Sequence, residues 1–343
     1  MTKIKSLFGW LICIAGFTAC RKSNLPETIQ VQTPYRYSDE YYANLRAYKK
    51  TEHQVFYGWF AAYAQKEGVT AEYKKSASWG EHIAGLPDSL DFCSLWMGVP
   101  SNKQNDSLST YNPIAYTEMR KAREVRGIKM LIPTIVNLEA RGFEKSDQGL
   151  KNYAKFLTDM AYTYDLDGID LDWEPTSGAY LADASNFARL VQYCSERAGP
   201  LSGSGKYLVV DYYQNVLPAT IAPYIDLLVN QAYTQGTTTS SAAFLQNRYN
   251  LVSWCPARKF VVTENFGQWW DNGGSPFTEA SGNTVSAFDG ALMYSLEGMA
   301  RWQPAQGKKA GFGAFYFDRD YNNSVRPYNF VRRCIQIANP AVK

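Results

Sequence analysis

Histidine is nearly missing from this chain: His53 and His82 are the two present in 343 residues. Neither has a second candidate metal ligand at useful spacing, so an HExxH zinc site or a Ser-His-Asp triad finds no support. The six cysteines (13, 20, 93, 194, 255 and 334) form no CxxC, which excludes zinc knuckles and thioredoxin-type motifs. Cys93 and Cys194 fall within apolar patterns and are expected as small buried side chains rather than disulfide partners. No GxGxxG or Walker-type loop follows an apolar run, so nucleotide-binding folds lack their usual mark. Net charge is +3 and no basic run stands out, so nucleic acid is not an expected partner. Beyond the first twenty residues, no stretch is long and apolar enough to cross a membrane. Nothing in the pattern calls for a metal or a cofactor.

Aromatic residues, by contrast, are abundant, with 25 Tyr and 9 Trp. They could serve as core, interface or platforms for sugar rings, and composition does not choose among these. The amino terminus also carries a signal. Lys3 and Lys5 precede an apolar stretch from Leu7 to Phe17, and Phe17-Thr18-Ala19-Cys20 follows. Small residues before a cysteine resemble a bacterial lipobox. That resemblance implies cleavage before Cys20, lipid attachment to it, and an outer-membrane lipoprotein; an ordinary secretory signal is the alternative. The reading is therefore a leader at 1–20, a tether at 21–36 containing Pro26 and Pro34, and a single domain at 37–343. The cell surface is the expected location, and the basic pair Arg21-Lys22 keeps the periplasmic face open.

Past the tether, short apolar runs alternate with helical patterns. Strands are expected at Val55–Phe60, Leu90–Trp96, Ile128–Val136, Asp167–Glu174, Tyr207–Tyr213, Ile225–Ala232, Lys259–Phe266 and Gly311–Phe317. Helices are expected at Tyr37–Lys50, Pro113–Arg126, Asp147–Tyr164, Leu181–Ala198 and Val325–Ile337, with irregular connections after strands one and five. Strand-helix alternation argues for a parallel sheet, and about eight repeats suit a (β/α)8 barrel; a doubly wound open sheet is the runner-up. Turn-rich insertions at Gly236–Ser241 and Gln268–Asn283 follow strand ends, where barrel enzymes build their sites.

One stretch stands apart. In Asp167-Gly168-Ile169-Asp170-Leu171-Asp172-Trp173-Glu174, acids and apolar residues alternate, so a strand would carry Asp170, Asp172 and Glu174 on one face. Adjacent carboxylates repel, and burying them unpaired costs several kcal/mol each. Such an arrangement is more often kept for chemistry than for packing. A solvated edge strand or a calcium loop is the bland alternative; an EF-hand loop wants oxygen ligands at fixed positions and its Gly at the sixth, and here Ile, Leu and Trp alternate instead. On strand six, Gln231 and Tyr233 share a face.

Asp167, Asp170, Asp172 and Glu174 resemble the DxxDxDxE pattern of glycoside hydrolase family 18, with all four acids in place. Together with the eight-strand rhythm, the resemblance covers roughly residues 53–340. It implies that Glu174 is the general acid and later the base. Asp172 would hold the substrate acetamido N–H, and Asp170 would share a proton with Asp172 and tune it. The nucleophile would be the substrate's own acetamido carbonyl, with retention of configuration. Clustered carboxyls cannot all ionise cheaply, so at least one should hold its proton unusually well. Asp167 has the wrong parity for that face and is read as structural.

Gln231 and Tyr233 resemble the QxY pair of the endo-β-N-acetylglucosaminidases and plant-type chitinases in the family, where they would align the acetamido group. Asn137 stands where the endoglycosidase branch carries an Asn; it would reach the sugar or brace strand four. Tyr57 and Trp59 on strand one, Trp269 and Trp270 after strand seven, and Tyr316 on strand eight are candidate sugar contacts. Chitinases of the family place a Trp on strand eight under the cleaved sugar, where this chain has Phe315-Tyr316-Phe317. Of Trp269 and Trp270, at least one should be exposed or in a groove. The resemblance implies a monomeric enzyme that cuts the β-1,4 bond of the N,N'-diacetylchitobiose core of N-glycans. A chitinase and a non-catalytic lipid-anchored glycan-binding protein are the alternatives. The latter is expected to lack Glu174.

Overall fold

Eight short strands form the centre of the structure: Val55–Phe60 (β1), Phe92–Leu95 (β2), Lys129–Ile135 (β3), Gly168–Asp172 (β4), Tyr207–Tyr212 (β5), Leu227–Gln231 (β6), Phe260–Asn265 (β7) and Gly311–Phe315 (β8). The structure, a computed structural model, describes residues 36–61, 83–96, 98–234 and 240–341. The leader at 1–20 with Cys20, the tether up to residue 35, His82, and residues 236–239 of the first insertion lie outside the described residues. The eight strands close into a barrel in the order β1-β8-β7-β6-β5-β4-β3-β2, every pairing parallel. The (β/α)8 barrel expected from the strand-helix rhythm is thus the architecture found.

Helices fall on the outside: Asp39–Tyr48 (α1), Pro113–Arg126 (α2), Asp147–Thr163 (α3), Ala184–Cys194 (α4), Ala242–Asn250 (α5), the single turn Phe266–Trp269 (α6), Ser295–Arg301 (α7) and Asn329–Ala338 (α8). Helix α2 shows why local sequence sets such bounds. The Asn112 side chain accepts from the Ala115 N–H at 3.0 Å, Pro113 opens the first turn, and Gly127 closes the helix at φ 68°. Only a short 3₁₀ turn, Ala219–Ile221, lies between β5 and β6, as the irregular pattern there suggests. Helices α5 and α7 add to the helices expected from the sequence. Two small parallel ribbons, Val99–Ser101 with Ser109–Tyr111 and Ser240–Ser241 with Phe277–Thr278, add to the strands.

Parity along each strand sorts the core. Outward side chains such as Ile169 and Leu171 meet the helices, and Trp173 just past β4 stacks on Phe187 of α4 with ring centroids 4.6 Å apart. Inward side chains, among them Tyr57, Phe92, Leu131, Val209, Val229 and Val261, plug the lower barrel. Each large apolar side chain buried this way contributes about 1.5–3 kcal/mol. Gly313 lets β8 lie close against the backbone of β1: a Cβ there would stand 1.6 Å from the Tyr57 carbonyl oxygen. Cys93, Cys194, Cys255 and Cys334 are free and buried, so Cys93 and Cys194 pack as small apolar groups.

Two strands end earlier than their sequence pattern. The ladder on β4 stops at Asp172 and that on β6 at Gln231, so Glu174 and Tyr233 stand beyond the strands, at the carboxyl end of the barrel.

Candidate active site

Strand β4 sends Asp170 and Asp172 into the barrel above the apolar plug. Asp170 is fully buried; its Oδ2 accepts from Trp59 Nε1 at 3.1 Å and Ser94 Oγ at 2.9 Å. Asp172 is one turn of the pleat higher, 4% exposed, and its Oδ1 accepts from Gln231 Nε2 at 3.3 Å. The same Gln231 nitrogen donates to Asp211 Oδ2 at 2.7 Å. Asp211 lies on β5 directly across the ladder from Asp172 and is 1% exposed. Glu174 is exposed at the mouth. The peptide that leads to it is held on both sides: Asn215 Nδ2 donates to the Trp173 carbonyl at 3.0 Å, and Trp173 N donates to the Asp211 carbonyl at 2.9 Å.

Burial and mutual repulsion keep protons on this cluster. Burial pushes Asp172 up to about 8, helped by the negative charge of Glu174 and then of Asp170. Asp170 is raised by burial, against the hydrogen bonds it accepts. Asp211 is raised well above the carboxylate range, first by burial, then by Asp170 and Asp172. Tyr233, buried beside Asp211, Asp172 and Glu174, is driven well above an ordinary phenol, chiefly by burial. Its ring lies 6.2 Å from that of Phe315.

The structure therefore gathers Asp170, Asp172, Gln231 and Tyr233, with Glu174 at the rim. It corrects several of the proposed sugar contacts. Tyr57 is completely buried and Trp59 is 2% exposed, so both are packed inside the barrel and do not form an open floor. Trp59 serves Asp170 instead, through its indole N–H. Tyr316 lies just past β8 in a left-handed turn (φ 52°) and is 7% exposed. The inward, half-buried aromatic is Phe315. Its ring centroid lies 5.6 Å from that of Trp96 and 6.2 Å from that of Trp59, which puts Phe315 at the upper edge of the aromatic plug. A one-residue parity difference separates the two, and only the barrel fixes parity at a strand end.

Asn137 Oδ1 accepts from the Ala140 N–H at 2.9 Å, and its own N–H donates to Tyr153 Oη. It braces the turn after β3. Trp269 and Trp270 sit on a helical turn that packs on the turn at 317–322; Trp270 also rests on the outer core, and both are half-buried. Asp167, at the foot of β4, takes a forked pair of hydrogen bonds from Arg123. Asp211 is a site residue that sequence pattern alone does not mark. A lone Asp in the apolar run Tyr207–Tyr213 carries no pattern, and its inward parity on the strand was the one available signal.

A separate cavity of about 680 Å³ lies on the flank between α1 and α2, lined by Tyr42, Ile114, Glu118 and Arg126 among others. Two of its charged groups are engaged with backbone: Glu118 accepts from the Ala84 N–H, and Arg126 donates to the Leu86 and Ile83 carbonyls. The acid cluster lies elsewhere.

The family described as "Glycoside hydrolase family 18, BT1044-like" matches residues 20–141 and 137–337. The chain belongs to glycoside hydrolase family 18. This family 18 chain is 30% identical over 318 residues to endo-beta-N-acetylglucosaminidase F2 of Elizabethkingia meningoseptica, covering 87% of this chain and 85% of that protein. Among solved structures, it is similar to a selenomethionine form of BT1044, with a TM-score of 0.69, 25% identity, and coverage of 91% of this chain and 97% of that one. The apo endo-beta-N-acetylglucosaminidase of Cordyceps militaris shares the fold, with a TM-score of 0.64, 21% identity, and coverage of 90% and 98%.

Proposed function

We propose that this family 18 chain is an endo-β-N-acetylglucosaminidase that cuts between the two core GlcNAc residues of N-glycans. The observation that carries the reading is the intact acid row, with Gln231 bonded to Asp172 and Tyr233 beside it. The 30% identity to endo-beta-N-acetylglucosaminidase F2, spread over most of both chains, supports an endo-β-N-acetylglucosaminidase activity.

Glycoside cleavage needs an acid at the leaving oxygen and electron density at the anomeric carbon. Glu174 is exposed at the mouth and is the group that can reach a substrate oxygen. It protonates the leaving sugar, then takes a proton from the incoming water. The anomeric carbon is met by the substrate's own acetamido oxygen, and the two displacements retain configuration. Asp172 faces the acetamido nitrogen. Burial holds a proton on it up to about 8; as positive charge develops beside it, that proton passes to the ionised Asp170, leaving an Asp172 carboxylate that accepts from the acetamido N–H. Gln231 and Tyr233 align the acetamido group, and Phe315 lies under the ring. Lys3 and Lys5, the apolar stretch Leu7–Phe17 and Cys20 support anchoring by lipid in the outer membrane.

Incubation with N-glycoproteins and, separately, with chitin oligomers tests the reading by mass analysis. The expected products are a free glycan and a protein that keeps one GlcNAc per site. Chitin cleavage without N-glycan release would overturn the reading in favour of a chitinase. Binding of glycan without any cleavage would overturn it in favour of a lectin-like role.

A further inference from the structure

Asp211 belongs to neither the acid row nor the Gln231–Tyr233 pair, yet it touches both. Its Oδ2 receives the shorter of the two Gln231 hydrogen bonds. Its carboxyl stands within hydrogen-bonding reach of Asp170 and Asp172. Asp170 Oδ1 and Asp211 Oδ1 are both buried without a hydrogen-bond partner, and of the two aspartates only Asp170 has a further hydroxyl, that of Tyr57, within reach to donate to it. Two ionised carboxylates cannot be left so: each bare oxygen would cost its full desolvation, and the charges would repel. One proton removes the conflict, because a neutral carboxyl donates to the other and cancels one charge.

We propose that Asp211 is a positioning residue that works as a neutral acid, donating its proton to the Asp170–Asp172 pair across the strand ladder while Gln231 ties it to Asp172. The groups facing it bear this out. Asp170 and Asp172 come from β4, Tyr57 from β1, and Gln231 and Tyr233 from β6 and its extension. These are acids, phenols and an amide, so charge is relieved by holding a proton. Asp211 is the better holder because it is buried against both of the other aspartates, while Asp170 already accepts from Trp59 and Ser94. Those two bonds favour Asp170 as the ionised partner. With Asp211 neutral, Asp172 faces one buried negative charge where it would face two, and its carboxyl plane is fixed by Gln231. The main chain adds to this: the Asp211 carbonyl accepts from Trp173 N, the residue before Glu174. The proposal rests on the reading of the site as a family 18 hydrolase centre.

Two variants separate a neutral donor from a charge or a filler. Asp211→Asn keeps shape and an N–H donor, and is expected to retain kcat within about tenfold, with KM and the limbs of the pH profile unmoved. Asp211→Leu removes the donor, and is expected to lower kcat by about a hundredfold with KM nearly unchanged. An Asp211→Asn enzyme that melts like the parent but is as inactive as Asp211→Leu would overturn the proposal, as would full activity in Asp211→Leu. Infrared spectra of the parent and Asp211→Asn at neutral pH need no substrate. The expected difference is loss of one protonated-carboxyl C=O band in the variant; no such loss overturns the proposal even where Asp211→Leu fails to fold. Failure of the parent to release glycan would count against the enzyme reading and leave the infrared result standing on its own.

Discussion

Asp167 and Asp170 belong to one short run of chain, and their surroundings are opposite. At the foot of β4, Asp167 is gripped by a guanidinium: Arg123 Nε reaches Oδ2 at 2.8 Å and Nη2 reaches Oδ1 at 3.2 Å, with the Met130 N–H adding a bond at 2.9 Å. Asp170, higher on the strand, takes its hydrogen bonds from the neutral indole of Trp59 and the hydroxyl of Ser94, and faces other acids. A planar cation satisfies a carboxylate and stabilises the fold. Neutral donors among like charges leave the cluster holding protons, which serves acid-base chemistry. The lower end of the strand is built to hold, and the upper end is built to react.

The contrast breaks most visibly at Glu174. Replacement by Gln is expected to cut glycan release by at least about a thousandfold, with unchanged thermal unfolding, because the side chain is exposed at the mouth. Near-parental turnover would remove Glu174 from the chemistry. Asp172→Asn is expected to cost about a hundredfold in kcat; an active variant would argue against acetamido assistance. At the floor, Phe315→Ala is expected to raise KM about tenfold, while Tyr316→Phe leaves it unchanged. The reverse pattern would restore Tyr316 as the sugar contact. Arg123→Ala, at the foot, is expected to lower stability by about 1–3 kcal/mol and to leave KM and kcat alone. A loss of activity with stability intact would erase the distinction between the two ends.

The barrel and the acid row were legible in the sequence because both rest on local periodicity. Alternating acid and apolar residues define the two faces of β4 wherever the strand lies, and Gln231 and Tyr233 declare their common face in the same way. What depended on register was not legible. Asp211 matters because it is level with Asp172 across the ladder, and no spacing along the chain contains that fact. Phe315 and Tyr316 differ in parity only once the end of β8 is known. Asn137 reads equally as a sugar contact or a brace until the turn it caps is seen. The sequence places Tyr57 and Trp59 on strand one but leaves their depth open, because barrel layers are set by the inward side chains of the other strands, such as Phe92, Leu131 and Val261.

The sharpest test concerns the stability given up at Asp172. Its proton is held to about 8 in the folded chain, against 3.8 for an ordinary aspartate. Between those values the folded chain keeps a proton that the unfolded chain has released. Stability contributed by this group is therefore full below the ordinary value and is lost as pH rises through the window. Thermal unfolding of the parent and of Asp172→Asn should be followed from acid to mildly alkaline pH. The expected result is a variant that melts higher than the parent at neutral pH, with the gap closing as pH falls below the ordinary aspartate range. A variant that melts lower at neutral pH, or an offset that ignores pH, would contradict the claim that this end of β4 gives up stability for chemistry.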